Sequence, residues 1–239
     1  MEAEKGLRII PVRGSTERTG HRFDPTRLDE VVVTANRLVG PDTFMLSFPR
    51  SWEFVPGQSV ALTLDREVPP RFYSIASGTK DEQVDILFDI VQDGLLTPRL
   101  AQMRPGDLLL CSPPFGAFRD AKGPSCWIAT GTGIAPFISM ARSGTTEGKL
   151  LVHGSKTLEG LVERDYFTQS LGARYSPCCS REKDQGVFAG RPTQWIEGRE
   201  LPPVERYLVC GNSLMVVDMR DILIAKGISF DDVVAEIYF

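Results

Sequence analysis

The 239-residue chain has few histidines, scattered cysteines and no long hydrophobic run. None of its apolar stretches approaches the roughly 18 residues that a membrane-spanning helix needs. The five cysteines follow neither the paired C-x-x-C spacing of zinc sites nor the cysteine run of plant-type iron–sulfur sites. With only two histidines, His21 and His153, a histidine-rich metal centre is disfavoured as well. Any redox chemistry in this chain therefore requires an organic cofactor.

The N-terminus and the net charge narrow the expected localisation and partners of the protein. Glu2 and Glu4 stand in an N-terminal stretch without an apolar core, so we expect neither a secretory signal nor a transit peptide, and hence a cytoplasmic protein. The net charge of −4 gives no overall attraction to nucleic acid or to membranes, and we expect neither as a partner. Cys178 and Cys179 are expected to be reduced structural thiols.

The pattern of the chain changes twice. Residues 1–28 are polar and arginine-rich, which predicts a flexible extension with one short strand at Leu7–Val12. Residues 29–120 carry short β-runs separated by turn residues, which indicates an antiparallel barrel or sandwich. Residues 121–239 alternate strands with helices, which indicates an α/β domain with a parallel sheet.

The predicted elements follow these divisions. In the first domain they are strands Val31–Ala35, Thr43–Phe48, Ser59–Leu64, Arg71–Ser77, Val84–Val91 and Leu108–Cys111, with a helix over Leu95–Met103. In the second they are strands Cys126–Thr130, Lys149–His153, Arg174–Pro177, Tyr207–Cys210 and Val233–Ile237, with helices Ala135–Ala141, Leu158–Leu171, Pro192–Ile196 and Leu214–Lys226.

The strand that begins Arg71-Phe72-Tyr73-Ser74 combines a guanidinium, two aromatic rings and a hydroxyl. Alternation along a strand sends Arg71 and Tyr73 to one face and Phe72 and Ser74 to the other. An arginine can bind a phosphate through two hydrogen bonds, a tyrosine can cover a flat ring, and a serine can reach a ring nitrogen. The set suits a flavin nucleotide, and an ordinary amphipathic strand is an equal alternative on these residues alone.

Two glycine turns precede predicted helices. Gly131-Thr132-Gly133 lets the backbone approach a phosphate closely, and the following helix N-terminus offers free N–H donors. The pattern lacks the full G-x-G-x-x-G fingerprint, so a tight strand–helix turn is the alternative to a nucleotide site. Asp93-Gly94 before Thr97 suits a pyrophosphate or, alternatively, ordinary helix capping.

A cysteine and three cations follow predicted strands of the α/β domain. The carboxyl ends of strands in an open α/β sheet face its ligand crevice, so Cys210 lies beside whatever Gly131–Gly133 binds. A small buried hydrophobe is the rival interpretation of this cysteine. Lys156, Arg181 and Arg191 could together bind the 2′-phosphate of an adenosine ribose, although each singly is more typical of a solvated surface charge.

Taken in order, these segments resemble the ferredoxin–NADP(H) reductase family, and its compact bacterial branch most. The resemblance covers about residues 30–239 and implies an FAD-binding antiparallel barrel (29–120) followed by an NADP-binding α/β domain (121–239). The matching motifs are Arg71-Phe72-Tyr73-Ser74, Gly94-Leu95-Leu96-Thr97, Gly131-Thr132-Gly133-Ile134-Ala135-Pro136, Ser180-Arg181-Glu182, Cys210-Gly211-Asn212 and Glu236-Ile237-Tyr238-Phe239.

The resemblance implies roles for residues at the FAD. Arg71 would hold the FAD pyrophosphate, Tyr73 would pack on the isoalloxazine, and Ser74 would bond near flavin N5, where hydride arrives. Tyr238 would cover the other flavin face and yield to nicotinamide. The other contacts expected at the FAD are Phe72, Phe88, Ile90, Gly94, Leu95, Leu96, Thr97 and, on the adenine of a bent FAD, Phe239.

The resemblance also implies roles at NADP(H). Cys210 and Glu236 would line the nicotinamide site, and with Ser74 and Tyr238 they form the expected catalytic set. Lys156 replaces a commoner arginine in the 2′-phosphate set, so NADPH is favoured over NADH. The residues expected to bind NADP(H) are Thr132, Gly133, Lys156, Ser180, Arg181, Arg191, Asn212 and Met215.

One position departs from the family pattern. Many members carry an arginine and an aromatic in the strand after the Tyr-Ser motif, whereas this chain has Phe88-Asp89-Ile90-Val91. The carboxylate of Asp89 puts ribityl or adenine contacts at this strand in question.

The implied activity is FAD-dependent electron transfer between NADPH and a one-electron carrier by hydride transfer at flavin N5, in a monomer. Because no iron–sulfur motif is present, the carrier would be a separate ferredoxin or flavodoxin, steered by a local basic patch. The alternatives are the reductase component of a multi-component oxygenase using NAD(P)H and a non-catalytic flavin- or nucleotide-binding regulator. The candidates for the basic patch are Arg18, Arg22, Arg27, Arg37 and Arg99.

Overall fold

The computed structural model of the chain describes residues 9–11, 23–121 and 123–238. Its first part is antiparallel and its second part is a parallel sheet with helices, so the predicted fold class is confirmed. The first elements are β1 (Ile9–Pro11), β2 (Asp29–Val32), β3 (Ala35–Leu38), β4 (Thr43–Pro49), β5 (Ser59–Thr63), β6 (Arg71–Ser74), β7 (Gln83–Asp89), α1 (Thr97–Leu100) and β8 (Leu108–Cys111).

The antiparallel strands form two sheets around one apolar core. One sheet has the order β2-β8-β5-β6, and the other has the order β3-β4-β7. A bridge between Ile75 and Ile86 joins the two sheets just after β6. Leu46, Phe48 and Val60 are fully buried between them, as expected for strands that present one face to a core.

The second part is a parallel sheet whose strand order reverses at β9. The order is β1-β14-β13-β9-β10-β11-β12, so the crevice for a ligand is expected at the carboxyl ends of β9 and β13. The elements are β9 (Ser125–Thr130), α2 (Ala135–Arg142), β10 (Lys149–Ser155), α3 (Arg164–Leu171), β11 (Tyr175–Cys179), β12 (Phe188–Ala189), α4 (Pro192–Glu197), β13 (Arg206–Asn212), α5 (Ser213–Ala225) and β14 (Val233–Tyr238).

The strand predicted over Leu7–Val12 is present as β1. It pairs in parallel with β14 at the edge of the seven-stranded sheet, with Ile9 opposite Ala235. The rest of the predicted extension up to residue 22 lies outside the described residues. No helix in the ranges that the structure describes has the length and apolar content needed to cross a membrane.

Two predicted strands were too long because the chain changes sheets within them. The segment Val31–Ala35 is divided into β2 and β3, since the N–H of Val33 bonds to Asp107 and the next N–H bonds to Ser47. The strand over Arg71–Ser77 ends at Ser74, where the chain passes from one barrel sheet to the other.

Two predicted helices were also too long. The helix over Leu158–Leu171 begins only at Arg164, because Glu163 adopts a left-handed conformation with φ of 59° that interrupts the helix. The helix over Leu95–Met103 is reduced to α1, and the carbonyls of Leu100 and Met103 accept hydrogen bonds from the amide of Asn36.

A buried ion pair fixes the segment that connects the two parts. Lys149 Nζ lies 2.8 Å from Asp120 Oδ2 and donates to two carbonyls of the connecting segment. The same carboxylate oxygen accepts hydrogen bonds of 2.6 Å from Ser125 Oγ and Trp127 Nε1. Buried charges require such partners, and here they join the segment to β9 and β10.

A second set of ion pairs joins the parts through Arg142 at the end of α2. Its Nη1 lies 3.1 Å from Asp85 Oδ2 of β7, and its Nη2 lies 2.9 Å from Glu163 Oε1. Met45 of the barrel also belongs to the same buried cluster as Phe137 of α2. The apolar and charged contacts together place the end of β6 against the ends of β13 and β14.

Candidate active site

Ser59, Ser74, Cys210 and Glu236 form one buried hydrogen-bonded group between the two parts. Ser74 Oγ donates to Glu236 Oε2 at 2.9 Å, and Cys210 Sγ donates to the same oxygen at 3.7 Å. Ser59 Oγ lies 3.3 Å from Ser74 Oγ. Because the Ser74 hydrogen is directed to Glu236, Ser59 is the donor in the serine pair. None of the four residues is more than 3% exposed.

The group consists of two cross-strand pairs. Ser59 lies opposite Ser74 in the β5–β6 ladder, and Cys210 lies opposite Glu236 in the β13–β14 ladder. Sheet pairing therefore holds each pair together, and the contact between the two parts brings the pairs into one site. The predicted catalytic residues Ser74, Cys210 and Glu236 are thus in hydrogen-bond contact.

Burial sets the protonation states in this group. It raises the pKa of Glu236 from 4.5 to about 7, although the hydrogen bonds that Ser74 and Cys210 donate to the carboxylate oppose the shift, as does Ser59 through its bond with Ser74. It also raises the pKa of the Cys210 thiol well above its ordinary value, and the charge of Glu236 adds to this effect. Cys210 is therefore a neutral thiol, and Glu236 can exchange a proton near neutral pH.

Two hydroxyls beside this group are buried without a hydrogen-bond partner among the described residues. They are those of Tyr238 and Thr130. Tyr238 packs on the apolar cluster that contains Cys210, and burial raises its pKa well above the ordinary value, with a further contribution from the charge of Glu236. Unpaired buried hydroxyls cost free energy, and a bound polar ligand would supply the missing partners.

The strand β6 presents the residues predicted to hold a flavin. Arg71 is exposed and Tyr73 is half-buried, with its ring 6.3 Å from the ring of Phe88. Phe88 itself is only 2% exposed and belongs to the barrel core, so it supports Tyr73 from beneath. Phe72 packs on the rings of Phe23 and Phe115, each with a centroid 5.0 Å away.

The glycine turn before α1 leads to the buried hydroxyl of Thr97. Thr97 Oγ1 accepts a hydrogen bond of 2.8 Å from the N–H of Val91, which closes the loop after β7. The hydroxyl hydrogen can still be donated to an anion. Leu96 is buried, and Leu95 is 72% exposed. The role predicted for this loop at a pyrophosphate stays a prediction.

The turn Gly131–Gly133 follows β9 where the strand order reverses. Gly131 has a φ of 55°, in the left-handed region that favours glycine, and a Cβ on Gly133 would overlap the backbone of Cys210. A 3-10 turn over Gly131–Ile134 leads directly into α2. The first N–H groups of this helical segment lack intrahelical partners, as an anion site requires.

Three exposed cations lie beyond β10, β11 and β12. Arg181 and Lys156 are adjacent, because the N–H of Arg181 bonds to the carbonyl of Lys156 at 3.0 Å. Arg191 precedes α4 as its N-cap residue. None of the three has an ion pair with the acidic side chains that the structure describes.

The remaining predicted residues are distributed around the same strand ends. Asn212 caps α5 by accepting the N–H of Leu214 at 3.1 Å, and Met215 and Ile90 are half-buried. Ser180 is exposed, and its N–H bonds to the carbonyl of Ser155. Phe239, Arg18 and Arg22 lie outside the described residues. In the expected basic patch, Arg27 and Arg37 are exposed, and Arg99 pairs with Asp65 at 3.7 Å.

Sequence reasoning did not identify Ser59 as part of the site. In the sequence it is only a serine two positions after the Pro56-Gly57 turn. Its place in the site depends on its pairing with Ser74 in the sheet. Asp89 was identified only as a departure from the family pattern. Its Oδ1 accepts a hydrogen bond of 2.6 Å from Thr43, and its Oδ2 points to the Gly131 turn.

Comparison with solved structures identifies the fold. A ferredoxin NADP+ reductase from Neisseria gonorrhoeae with bound FAD and NADP superposes with a TM-score of 0.80 over 89% of this chain and 99% of that one, at 21% identity. The ferredoxin reductase of carbazole 1,9a-dioxygenase gives a TM-score of 0.73 over 88% of this chain and 69% of that one, also at 21% identity. The chain therefore has the fold of these two structures.

Curated relatives define the family. The ferredoxin–NADP reductase of Pseudomonas aeruginosa is 31% identical over 206 residues, which cover 73% of this chain and 80% of the relative. The chain therefore belongs to the ferredoxin–NADP reductase family, as its motifs predicted, and is an oxidoreductase of that family. The toluate 1,2-dioxygenase electron transfer component of Pseudomonas putida is 33% identical over 189 residues, which cover 73% of this chain and 56% of that protein's length. No protein-family model matches the chain.

Proposed function

We propose that this chain is an FAD-dependent reductase that transfers electrons between NADPH and a separate one-electron carrier, a ferredoxin or a flavodoxin. The observation that carries the proposal is the hydrogen-bonded group of Ser74, Glu236 and Cys210, at the reversal point of the parallel sheet. This is where an open α/β fold binds its ligand.

The residues present fit both cofactors. The buried hydroxyls of Tyr238 and Thr130 have no hydrogen-bond partner among the described residues, and a bound polar cofactor would supply one. Arg71, Tyr73, Ser74 and Thr97 would hold FAD, with the charge on its pyrophosphate bound by Arg71. The turn at Gly131–Gly133 and the cations Lys156, Arg181 and Arg191 would hold NADP(H).

The protein's own residues would supply position and electrostatics. Bound FAD and NADP(H) provide hydride transfer between stacked rings. Glu236 and Ser74 fix the hydrogen-bonding pattern between the ring sites, and the neutral Cys210 thiol provides a small, uncharged contact for nicotinamide. Tyr238 excludes water from the face that nicotinamide would use. The carrier would dock separately, and we infer a monomer in the cytoplasm.

The reductase component of a multi-component oxygenase is the second candidate. The similarity to the toluate dioxygenase electron transfer component favours it, although this chain spans 56% of that protein. Both candidates share the cofactors and differ in the protein that accepts electrons.

A carrier screen separates the two candidates. FAD-loaded protein, NADPH and cytochrome c would be mixed with single ferredoxins or flavodoxins, including the Rieske-type ferredoxin of an oxygenase. Cytochrome c reduction that requires a plant-type or bacterial ferredoxin or a flavodoxin supports the first candidate. Reduction that requires only the oxygenase ferredoxin supports the second, and no reduction with any carrier contradicts both.

A further inference from the structure

The carboxylate of Asp89 ends β7 of the barrel and faces the glycine turn of the other part. Thr43, its cross-strand partner, holds Oδ1 by a hydrogen bond of 2.6 Å. Oδ2 lies 3.8 Å from the position that a Cβ on Gly131 would occupy. The position of the carboxylate is therefore set by the barrel, while its second oxygen is directed to the turn before α2.

The surroundings of Asp89 are mixed in charge. Asp89 is exposed, but the protein groups around it remove part of its hydration and raise its pKa, and the hydrogen bond from Thr43 opposes that shift. The neighbouring charge of Asp42 also raises it, whereas the Lys156 charge and the Thr132 hydroxyl lower it. Lys156 and Thr132 are residues expected at NADP(H), so the charge of Asp89 acts among residues expected at that ligand.

A carboxylate beside the Gly131 turn weakens the binding of a phosphate there. The N–H groups of the turn and the dipole of the helical segment attract an anion. An acidic side chain beside the turn offsets part of that attraction by charge repulsion. The pyrophosphate is common to NADP(H) and NAD(H), whereas the 2′-phosphate belongs to NADP(H) alone.

We infer that Asp89 weakens pyrophosphate binding at the Gly131 turn by charge repulsion, so that tight binding of a dinucleotide depends on the contacts made by its other groups. The inference rests on the proposed function, because it takes the turn as the dinucleotide site. Asp89 lowers the affinity for both dinucleotides by the same factor. The ratio of the two affinities is set by the contacts of Lys156 and Arg181 with the 2′-phosphate, which NAD(H) lacks.

The test is the isosteric substitution Asp89→Asn, in which the amide oxygen can keep the bond from Thr43. Dissociation constants would be measured by calorimetry on FAD-loaded protein for NADP+, NAD+ and adenosine 2′-monophosphate, which has no pyrophosphate. We expect both dinucleotides to bind about five- to tenfold more tightly to the variant at low ionic strength. The monophosphate should change by less than about twofold, and the dinucleotide gain should shrink in high salt.

The control is Asp231→Asn, which removes an exposed carboxylate before β14, near the edge of the sheet opposite β12. It should leave all three constants unchanged. Dinucleotide affinities that stay equal or fall in Asp89→Asn would overturn the inference and leave the proposed function intact, as would an equal gain for the monophosphate. Failure of both proteins to bind any dinucleotide would overturn the proposed function together with the inference.

Discussion

Ser74 in the barrel and Glu236 in the parallel sheet, 162 positions apart, share a buried hydrogen bond of 2.9 Å. The bond joins the two parts where the ring sites of both cofactors are proposed. It also leaves a carboxyl group in a place where burial decides its protonation.

Glu236→Gln should make the protein more stable at alkaline pH. The pKa of Glu236 is raised from 4.5 to about 7, so its contribution to stability is complete below pH 4.5 and is lost as pH rises through 7. The amide cannot ionise. The free energy of unfolding of the variant should therefore not show the decrease of about 2–3 kcal/mol with rising pH that we expect for the parent protein. Urea unfolding at pH 5 and pH 8.5 measures the difference. Equal pH dependence in both proteins would show that Glu236 is not the buried titrating group.

Ser59→Ala should raise the pKa of Glu236 further. The hydroxyl of Ser59 supports the charged form through Ser74, and one hydrogen bond of about 1 kcal/mol corresponds to somewhat less than one pKa unit. The pH profile of anaerobic flavin reduction should shift to higher pH by that amount. Ser139→Ala removes a buried hydroxyl without a partner among the described residues and should not shift the profile. A loss of rate without a change in the profile would assign Ser59 a packing role only.

Arg181→Ala should affect NADPH and NADH differently. Loss of a charge-assisted hydrogen bond to the 2′-phosphate should raise the KM for NADPH by roughly tenfold or more, and the KM for NADH should change little. Lys183→Ala, two positions away and also exposed, provides the control for general charge effects. Parallel increases for both dinucleotides would remove the proposed role of Arg181.

Asp120→Asn should destabilise the fold strongly. The substitution leaves the buried ammonium of Lys149 without its counter-ion, which typically costs about 3–5 kcal/mol. Denaturant unfolding provides the measurement. Glu53→Gln, which breaks the exposed pair with Arg50, should change stability by less than about 1 kcal/mol. Similarly small decreases in the free energy of unfolding of both variants would mean that water reaches the pair of Lys149 and Asp120.

The sequence predicted the positions of the site motifs well, because each motif is local. Arg71–Ser74, Gly131–Gly133 and Cys210 each stand at a strand end or a strand–helix turn that could be recognised from residue type and spacing. The helix over Leu158–Leu171 was predicted too long, because Leu161 and Val162 fit a helical apolar pattern but are buried in a turn.

The residues that were missed depend on contacts between distant segments. Ser59 belongs to the site because it lies opposite Ser74 in the β5–β6 ladder. Asp89 reaches the site because β7 packs against the Gly131 turn. Neither relationship has a local signal, since strand register and the contact between the two parts are tertiary features.

The most direct test of the proposed function is anaerobic titration of the FAD-loaded protein with NADPH and, separately, with NADH. The visible flavin absorbance should be lost with NADPH at near-stoichiometric amounts, and NADH should act only at much higher concentration. A protein that binds no FAD, or whose bound flavin keeps its absorbance with excess NADPH, would contradict the account.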